Sequence, residues 1–488
     1  MINRRDFLKL SFATATLLLA GCRSKSSEMI NTTKTDSTDL LINQDLNIPT
    51  LLDPIADING VKQFNLNIQK STHNFYKNTT SNTFGINQSY LGNTLLIKNG
   101  DKVSINYTNN LNELTTMHGH GMHLPAIMDG GVHQEIQVNQ TWSARYTVNQ
   151  RACTNWYHPH LMGKTAQHVY QGLAGLIIIE DNDSDTLALP KTYGVDDIPL
   201  IIQDRQFVNN QLDYNPAMMD IMSGYRGDTL ITNGQISPVF TANAGLLRIR
   251  ILNGSNASIY KFSFHDNRVF KQIATDNGFL EQTVALNSLV LSPSERAEII
   301  VDLAHDIDKS VLLNVIETIS DKLTQSTALR INVSTTSANV LTLASSLISH
   351  EDIDINDVVR TRNFTLEGSG NMGNPEFTIN NKSMDINRIN ETLNVNELEI
   401  WHIQNNMNMN HNFHMHATHF IPYKRNGMVS NISDNEKGYK DCIHIPPNEN
   451  VDILVKMTDY TDANGKYMYH CHFLEHEDAG MMGQFVVI

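Results

Sequence analysis

The sequence predicts an all-β protein of three β-sandwiches in tandem, on three observations. Charged residues make up only 18% of the chain, while Asn, Thr, Ser and Gly are plentiful, a balance that favours short strands and turns over long charged helices. At 488 residues the chain is too long for one ordinary domain. Finally, one pattern occurs three times. Leu95–Leu111 reads LLIKNGDKVSINYTNNL, Gly245–Ser255 reads GLLRIRILNGS and Leu393–Asn406 reads LNVNELEIWHIQNN, each an alternating strand running into an Asn-rich turn. Just upstream stand Phe84-Gly85-Ile86-Asn87, Leu230-Ile231-Thr232-Asn233 and Phe377-Thr378-Ile379-Asn380. A period of about 147 residues is too long for a solenoid and right for tandem domains.

The elements follow in order. Residues 1–22 read as an export signal: Arg4-Arg5-Asp6-Phe7-Leu8-Lys9 is a twin-arginine signature, the apolar run from Leu10 to Ala20 is too short to anchor in a bilayer, and Leu19-Ala20-Gly21-Cys22 resembles a lipobox. Cleavage before Cys22 and a lipid on its sulfur are expected, the alternative being an ordinary cleaved signal. Residues 23–51, rich in Ser, Thr, Asn and Asp, read as a flexible tether. The three sandwiches are assigned to 52–182, 195–335 and 358–488, separated by polar stretches at 181–196 and 334–357. Val340–Ile348 is the one candidate for a short helix between them.

A formal charge of −15 speaks against a nucleic-acid partner. It suits either simple solubility or the attraction of cationic substrates such as metal ions. Of the four cysteines, Cys22 belongs to the signal and Cys471 to a motif below. Cys153 and Cys442 remain, as a disulfide or as two buried thiols, with the balance towards thiols.

Function is carried by histidine. Half of the 20 histidines fall into four clusters: His118-Gly119-His120, His158-Pro159-His160, His411-Asn412-Phe413-His414-Met415-His416, and His470-Cys471-His472 followed by His476 and Met481. Chance would supply about one His-x-His in a chain this rich in histidine; four such pairs are another matter. Residues two apart on a strand face the same way, so each pair aims two imidazoles to one side. Packing the first copy of the repeat against the third would bring eight imidazoles together around a multinuclear metal centre. In the fourth cluster His470 and His472 share a face and Cys471 turns to the other. One strand would thus serve two metal sites, with only a few bonds between them. A thiolate, two imidazoles and a weak thioether describe a blue-copper electron-transfer site, for which Cys471, His476, Met481 and the offset His411 are the candidates. Zinc would need four ligands rather than this many histidines, and iron–sulfur chemistry lacks the cysteines.

Met117–Gly131, Trp156–Ile179 and His470–Met482 resemble the copper motifs of the multicopper oxidases, nearest the bacterial three-domain branch that includes the copper-efflux oxidase and bacterial laccases. The resemblance implies three cupredoxin-like domains, the third holding the type 1 copper. It implies His411, Cys471, His476 and Met481 as type 1 ligands and His118 and His414 as type 2 ligands. His120, His158, His160, His416, His470 and His472 then ligate the type 3 pair. It further implies Asp129 and Glu477 as proton-handling acids. The plainer reading makes Asp129 a turn residue before Gly130-Gly131 and Glu477 a group that only orients a histidine. His123, His133, His168 and His419 match no ligand position.

The expected activity is one-electron oxidation of Cu(I), Fe(II) or a phenol coupled to reduction of dioxygen to water. The alternative is a copper-sequestering protein without turnover. A copper-free cell-division scaffold and a copper nitrite reductase are further rivals, against which the complete ligand set and the paired His-x-His motifs count. Met407, Met409 and Met415 are soft enough for Cu(I) or serve as packing, and Met218, Met219 and Met222 read as core. A Met-rich insertion is missing between Asp357 and Ile400, and Met407 stands where an acid is expected. Both weaken a dedicated Cu(I)-oxidase reading and point to a more open type 1 site, which favours Fe(II) or phenols as well, with the donor beside His411 or His476. The expected setting is a monomer in the periplasm or cell envelope, delivered by the twin-arginine machinery, with membrane contact only through a lipid on Cys22.

Overall fold

The computed structural model describes residues 40–55, 59–319, 322–337, 341–371 and 374–488. The twin-arginine signature, the lipobox with Cys22 and the first part of the tether lie outside the described residues. The rest is β: six sheets in three consecutive pairs, each pair closing on its own apolar core. These are three cupredoxin-like sandwiches. The α-helices among the described residues are short, five to seven residues each, at Thr165–Gln171, Asn182–Thr186, Met218–Ser223 and Leu474–Asp478.

The repeat seen in the sequence has a physical origin. In each sandwich the long first strand pairs in parallel with the strand of the repeat: Val61–Tyr76 with Lys102–Asn110, Asp197–Val208 with Leu246–Asn253, and Val358–Asn371 with Leu398–Asn405. Asn87, Asn233 and Asn380 all adopt a positive φ, at 61°, 49° and 55°, a region Asn tolerates better than other side chains. From there each Oδ1 accepts from a first-strand amide, Asn67, Ile201 or Thr365, at 2.7–2.8 Å. Each Nδ2 donates to the carbonyl two residues earlier, of Asn65, Pro199 or Asn363. Asn109, Asn253 and Asn405 do the equivalent at the far end of the repeat strand. Their Oδ1 atoms take the amides of Leu111, Ser255 and Met407 at 2.9–3.0 Å, closing an Asx turn.

Two stretches differ from expectation. Residues 40–51, which composition assigns to the tether, lie along the first two sandwiches. Leu46 is buried, its amide donates to Val239 O (2.7 Å), and Leu51 bridges Thr94. The apolar Leu46 gives this polar segment something to bury. Residues 341–348 form no helix. Leu343, Leu347 and Ile348 pack singly against the second sandwich, and Ser346 bridges Gln282 in extended form; three apolar anchors on a Ser-rich stretch suffice for docking but not for a helix. Cys153 and Cys442 are buried free thiols.

Candidate metal centre

The second sheet of the first sandwich carries the strand His118–His120 beside Cys153–His158, in a register that sets His118 opposite His158. In the third sandwich His411–Met415 runs antiparallel to Asp462–His470, with His414 opposite His470. These two sheets meet at their histidines. His160 Nε2 and His416 Nε2 each lie 3.1 Å from His470 Nε2, and His158 Nε2 lies 3.4 Å from both His472 Nε2 and His120 Nδ1. The His118 ring stacks on His416 at 3.9 Å and the His120 ring on His414 at 3.8 Å. All eight residues of the paired motifs are buried.

Hydrogen bonding fixes which nitrogen faces inwards. His118 Nδ1 donates to Asp129 O (2.8 Å), His158 Nδ1 to Pro159 O (2.8 Å), His414 Nδ1 to Asp441 O (2.7 Å) and His470 Nδ1 to Cys471 O (3.1 Å). Each therefore turns an Nε2 lone pair towards the others. Burial pushes the pKa values of His118, His158 and His470 well below the usual imidazole value, so the rings are neutral. His118 Nε2 and His414 Nε2 are buried without any partner. Converging, unpartnered lone pairs are costly in a protein interior and fit a cluster of metal ions. Three overlapping triads of histidine nitrogens, His118/His120/His158, His118/His414/His416 and His160/His416/His470, are spaced for coordination.

Cys471 turns the other way, as alternation requires. Its Sγ lies 3.5 Å from His411 Nδ1 and 3.8 Å from His476 Nδ1, and those two nitrogens are 3.2 Å apart. Met481 is buried in the same core, its carbonyl accepting from the Cys471 amide (3.1 Å). Burial raises the Cys471 thiol to about 12, so a bound cation must displace its proton.

This second site is not open, which corrects the expectation drawn from the absent insertion. His411 and His476 are both 0% exposed. His476 Nε2 donates to Met222 O (3.1 Å) and His411 Nε2 lies 3.2 Å from Met407 Sδ. The cover is the helix Met218–Ser223 of the second sandwich, whose methionines are not core: Met219 is 71% exposed, while Met222, Met407 and Met409 line the rim. A helix of one and a half turns has too little surface to bury three methionines at once.

Both acids lie beside clustered histidines. Asp129 Oδ2 is 2.8 Å from His416 Nδ1 while its own carbonyl holds His118. It also ends a tight turn at Gly130 (φ 74°), so the turn and the contact belong to one residue. Glu477 lies between the rings of the third triad, with Oε1 3.4 Å from His160 Nδ1 and Oε2 3.2 Å from His470 Nδ1. Burial raises the pKa of both carboxyls, Asp129 well above its usual value. His123, His133, His168 and His419 join none of the coordination groups among the described residues. Motif spacing missed Asp441, whose Oδ1 accepts from His120 Nε2 (3.0 Å), and gave no sign of the ring of Trp156 stacked 4.1 Å from His158.

Neutral imidazoles around one centre, with a thiol and a thioether at a second, are the donor set of a copper redox protein. Comparison with known proteins makes the class specific. Family models described as multicopper oxidase match residues 67–184 and 359–488. A multicopper oxidase of Staphylococcus aureus is 38% identical, covering 91% of this chain and 92% of its own. The cell division protein FtsP of Xenorhabdus nematophila is 33% identical over 89% and 91%. Among solved structures, a laccase from Pediococcus acidilactici superposes with a TM-score of 0.83 at 31% identity, covering 91% of this chain and 94% of that one. A metallo-oxidase from Campylobacter jejuni gives 0.82 at 27%, over 93% and 97%. The chain belongs to the multicopper oxidase family, in its three-domain bacterial branch. It is a copper-dependent oxidoreductase that uses dioxygen as acceptor.

Proposed function

We propose that this enzyme oxidises a small, soft metal ion, Cu(I) before Fe(II), at the Met218–Ser223 cover. On this reading His411, Cys471, His476 and Met481 hold a type 1 copper, and His118 and His414 a type 2 copper. His120, His158, His160, His416, His470 and His472 hold a type 3 pair. Copper supplies one-electron redox chemistry and the multi-electron reduction of dioxygen. The protein supplies the path: Cys471 joins the covered site to His470 and His472 through a few covalent bonds. Asp129 and Glu477 hold protons beside His416 and beside His160 and His470. The observation that carries the choice of donor is the cover. With both type 1 imidazoles sealed, a bulky phenol has no edge to touch, whereas thioethers at the rim suit Cu(I). The domains run 52–182, 195–335 and 358–488, and delivery is by the twin-arginine route to the cell envelope.

The deciding experiment offers Cu(I), Fe(II) and a phenol in parallel to the copper-loaded protein and follows oxygen uptake. Replacing Met218, Met219 and Met222 together by serine is expected to lower kcat/KM for Cu(I) by about tenfold, or ~1.4 kcal/mol, and to leave phenol turnover equal or faster. A parallel fall for both donors rules the cover out as a soft-metal port. Copper uptake without oxygen consumption favours sequestration.

A further inference from the structure

The second sandwich contributes none of the clustered histidines, yet one of its side chains reaches the centre. Arg296 begins the strand Arg296–Asp302 and is fully buried. Its Nε donates to Thr154 O (2.9 Å) and its Nη2 to Asn155 Oδ1 (2.7 Å), both in the first sandwich. The same guanidinium forks onto Asp441 of the third, Nη1 to Oδ1 at 2.7 Å and Nη2 to Oδ2 at 2.6 Å. Asn277, also of the second sandwich, donates to Oδ2 (2.5 Å). Asp441 in turn holds two histidines, His120 through Oδ1 and His414 through its carbonyl. Gly121 leaves room for the junction: at φ 79°, a Cβ there would lie 2.6 Å from Asp441 Oδ2 and from Asn155 Oδ1.

A guanidinium keeps its charge at any accessible pH, so the paired carboxylate stays an acceptor. His120 must then carry its proton on Nε2 and present Nδ1, the reverse of His118, His158, His414 and His470. Its Nδ1 is the atom that lies beside His158 Nε2. An arginine–carboxylate pair serving only to join sandwiches has no need to accept a bond from a histidine of the metal centre.

We propose that Asp441, clamped by Arg296, is a positioning residue that dictates the tautomer of His120 and sets His414 with it, and that this is how the ligand-free middle sandwich takes part in the trinuclear site. The proposal rests on the assignment of His120 and His414 as copper ligands. Groups that orient metal-bound histidines typically affect metal affinity 10–100-fold.

The test compares Asp441→Asn and Arg296→Lys with Arg362→Lys, which alters a partly buried pair with Glu399 that touches no histidine. Copper per chain is measured against a competing chelator, together with the type 1 blue absorption, the paramagnetic resonance of the type 3 pair, and Tm. Both clamp variants are expected to bind trinuclear copper about 10–100-fold more weakly and to show an uncoupled type 3 signal, with the blue band retained. Arg362→Lys is expected to move Tm alone. Native copper affinity and an unchanged type 3 spectrum in the clamp variants overturn the proposal, whatever their Tm. If Asp441→Asn does not fold, Arg296→Lys, which keeps the charge and loses the fork, decides on the same readouts. A wild-type chain that takes up no copper overturns the ligand assignment and the clamp together, whereas variant-specific results bear on the clamp alone.

Discussion

Cys471→Ser is expected to abolish the blue absorption and reduce oxygen uptake with any donor to background, while the trinuclear copper stays in place. A serine hydroxyl is a hard donor that does not give up its proton to copper under conditions where a thiol does, so the type 1 site loses its thiolate. The covalent step from Cys471 to His470 and His472 then carries no electrons. The substitution is nearly isosteric and should leave the fold intact, as circular dichroism and Tm will show. The backbone bonds from the Cys471 amide to Met481 O and from the His472 amide to Asn412 Oδ1 do not involve the sulfur. Copper analysis should find the loss confined to one site. A blue variant that still consumes oxygen contradicts the assignment of Cys471.

Asp129→Asn and Glu477→Gln are expected to lower kcat by about 10²-fold, the lower end of what a positioned proton donor contributes, without slowing anaerobic reduction of the type 1 site. Burial raises both carboxyls, so each keeps its proton to higher pH than a surface acid. The sign follows: turnover that depends on these protons falls as pH rises through the raised values, and that alkaline limb should flatten in the amide variants. Stopped-flow bleaching of the blue band isolates electron entry, and oxygen uptake reports the complete reaction. If the two rates fall together, the acids act on copper geometry rather than on protons.

The centre was legible in the sequence because its geometry is local. A period of two puts His118 with His120 and His470 with His472, and the same alternation turns Cys471 the other way. The three sandwiches were legible for a similar reason, since Asn87, Asn233 and Asn380 each perform one backbone task that few other residues can. What escaped depends on contacts across hundreds of residues. Asp441 sits at a bend just before the strand Cys442–Ile445, and nothing near it in the sequence hints at Arg296, which lies 145 positions away. The methionines of Met218–Ser223 read as core because methionine usually is; their exposure comes from where the second sandwich lays this short helix, across His476. The open type 1 site failed as an expectation for the same reason. The missing insertion in the third sandwich says nothing about a cover supplied by the second.

The partners His160 and His470 are separated by 310 residues, and His158 and His472 by 314. During synthesis the amino-terminal sandwich emerges first and folds as a unit, so it must present His118, His120, His158 and His160 to water long before their counterparts leave the ribosome. The complete eight-histidine cluster is therefore a late product of biogenesis: a nascent chain halted before residue 470 has the triad His118, His120 and His158 but lacks His470 and His472. Closure of that cluster is timed by the arrival of the last strands.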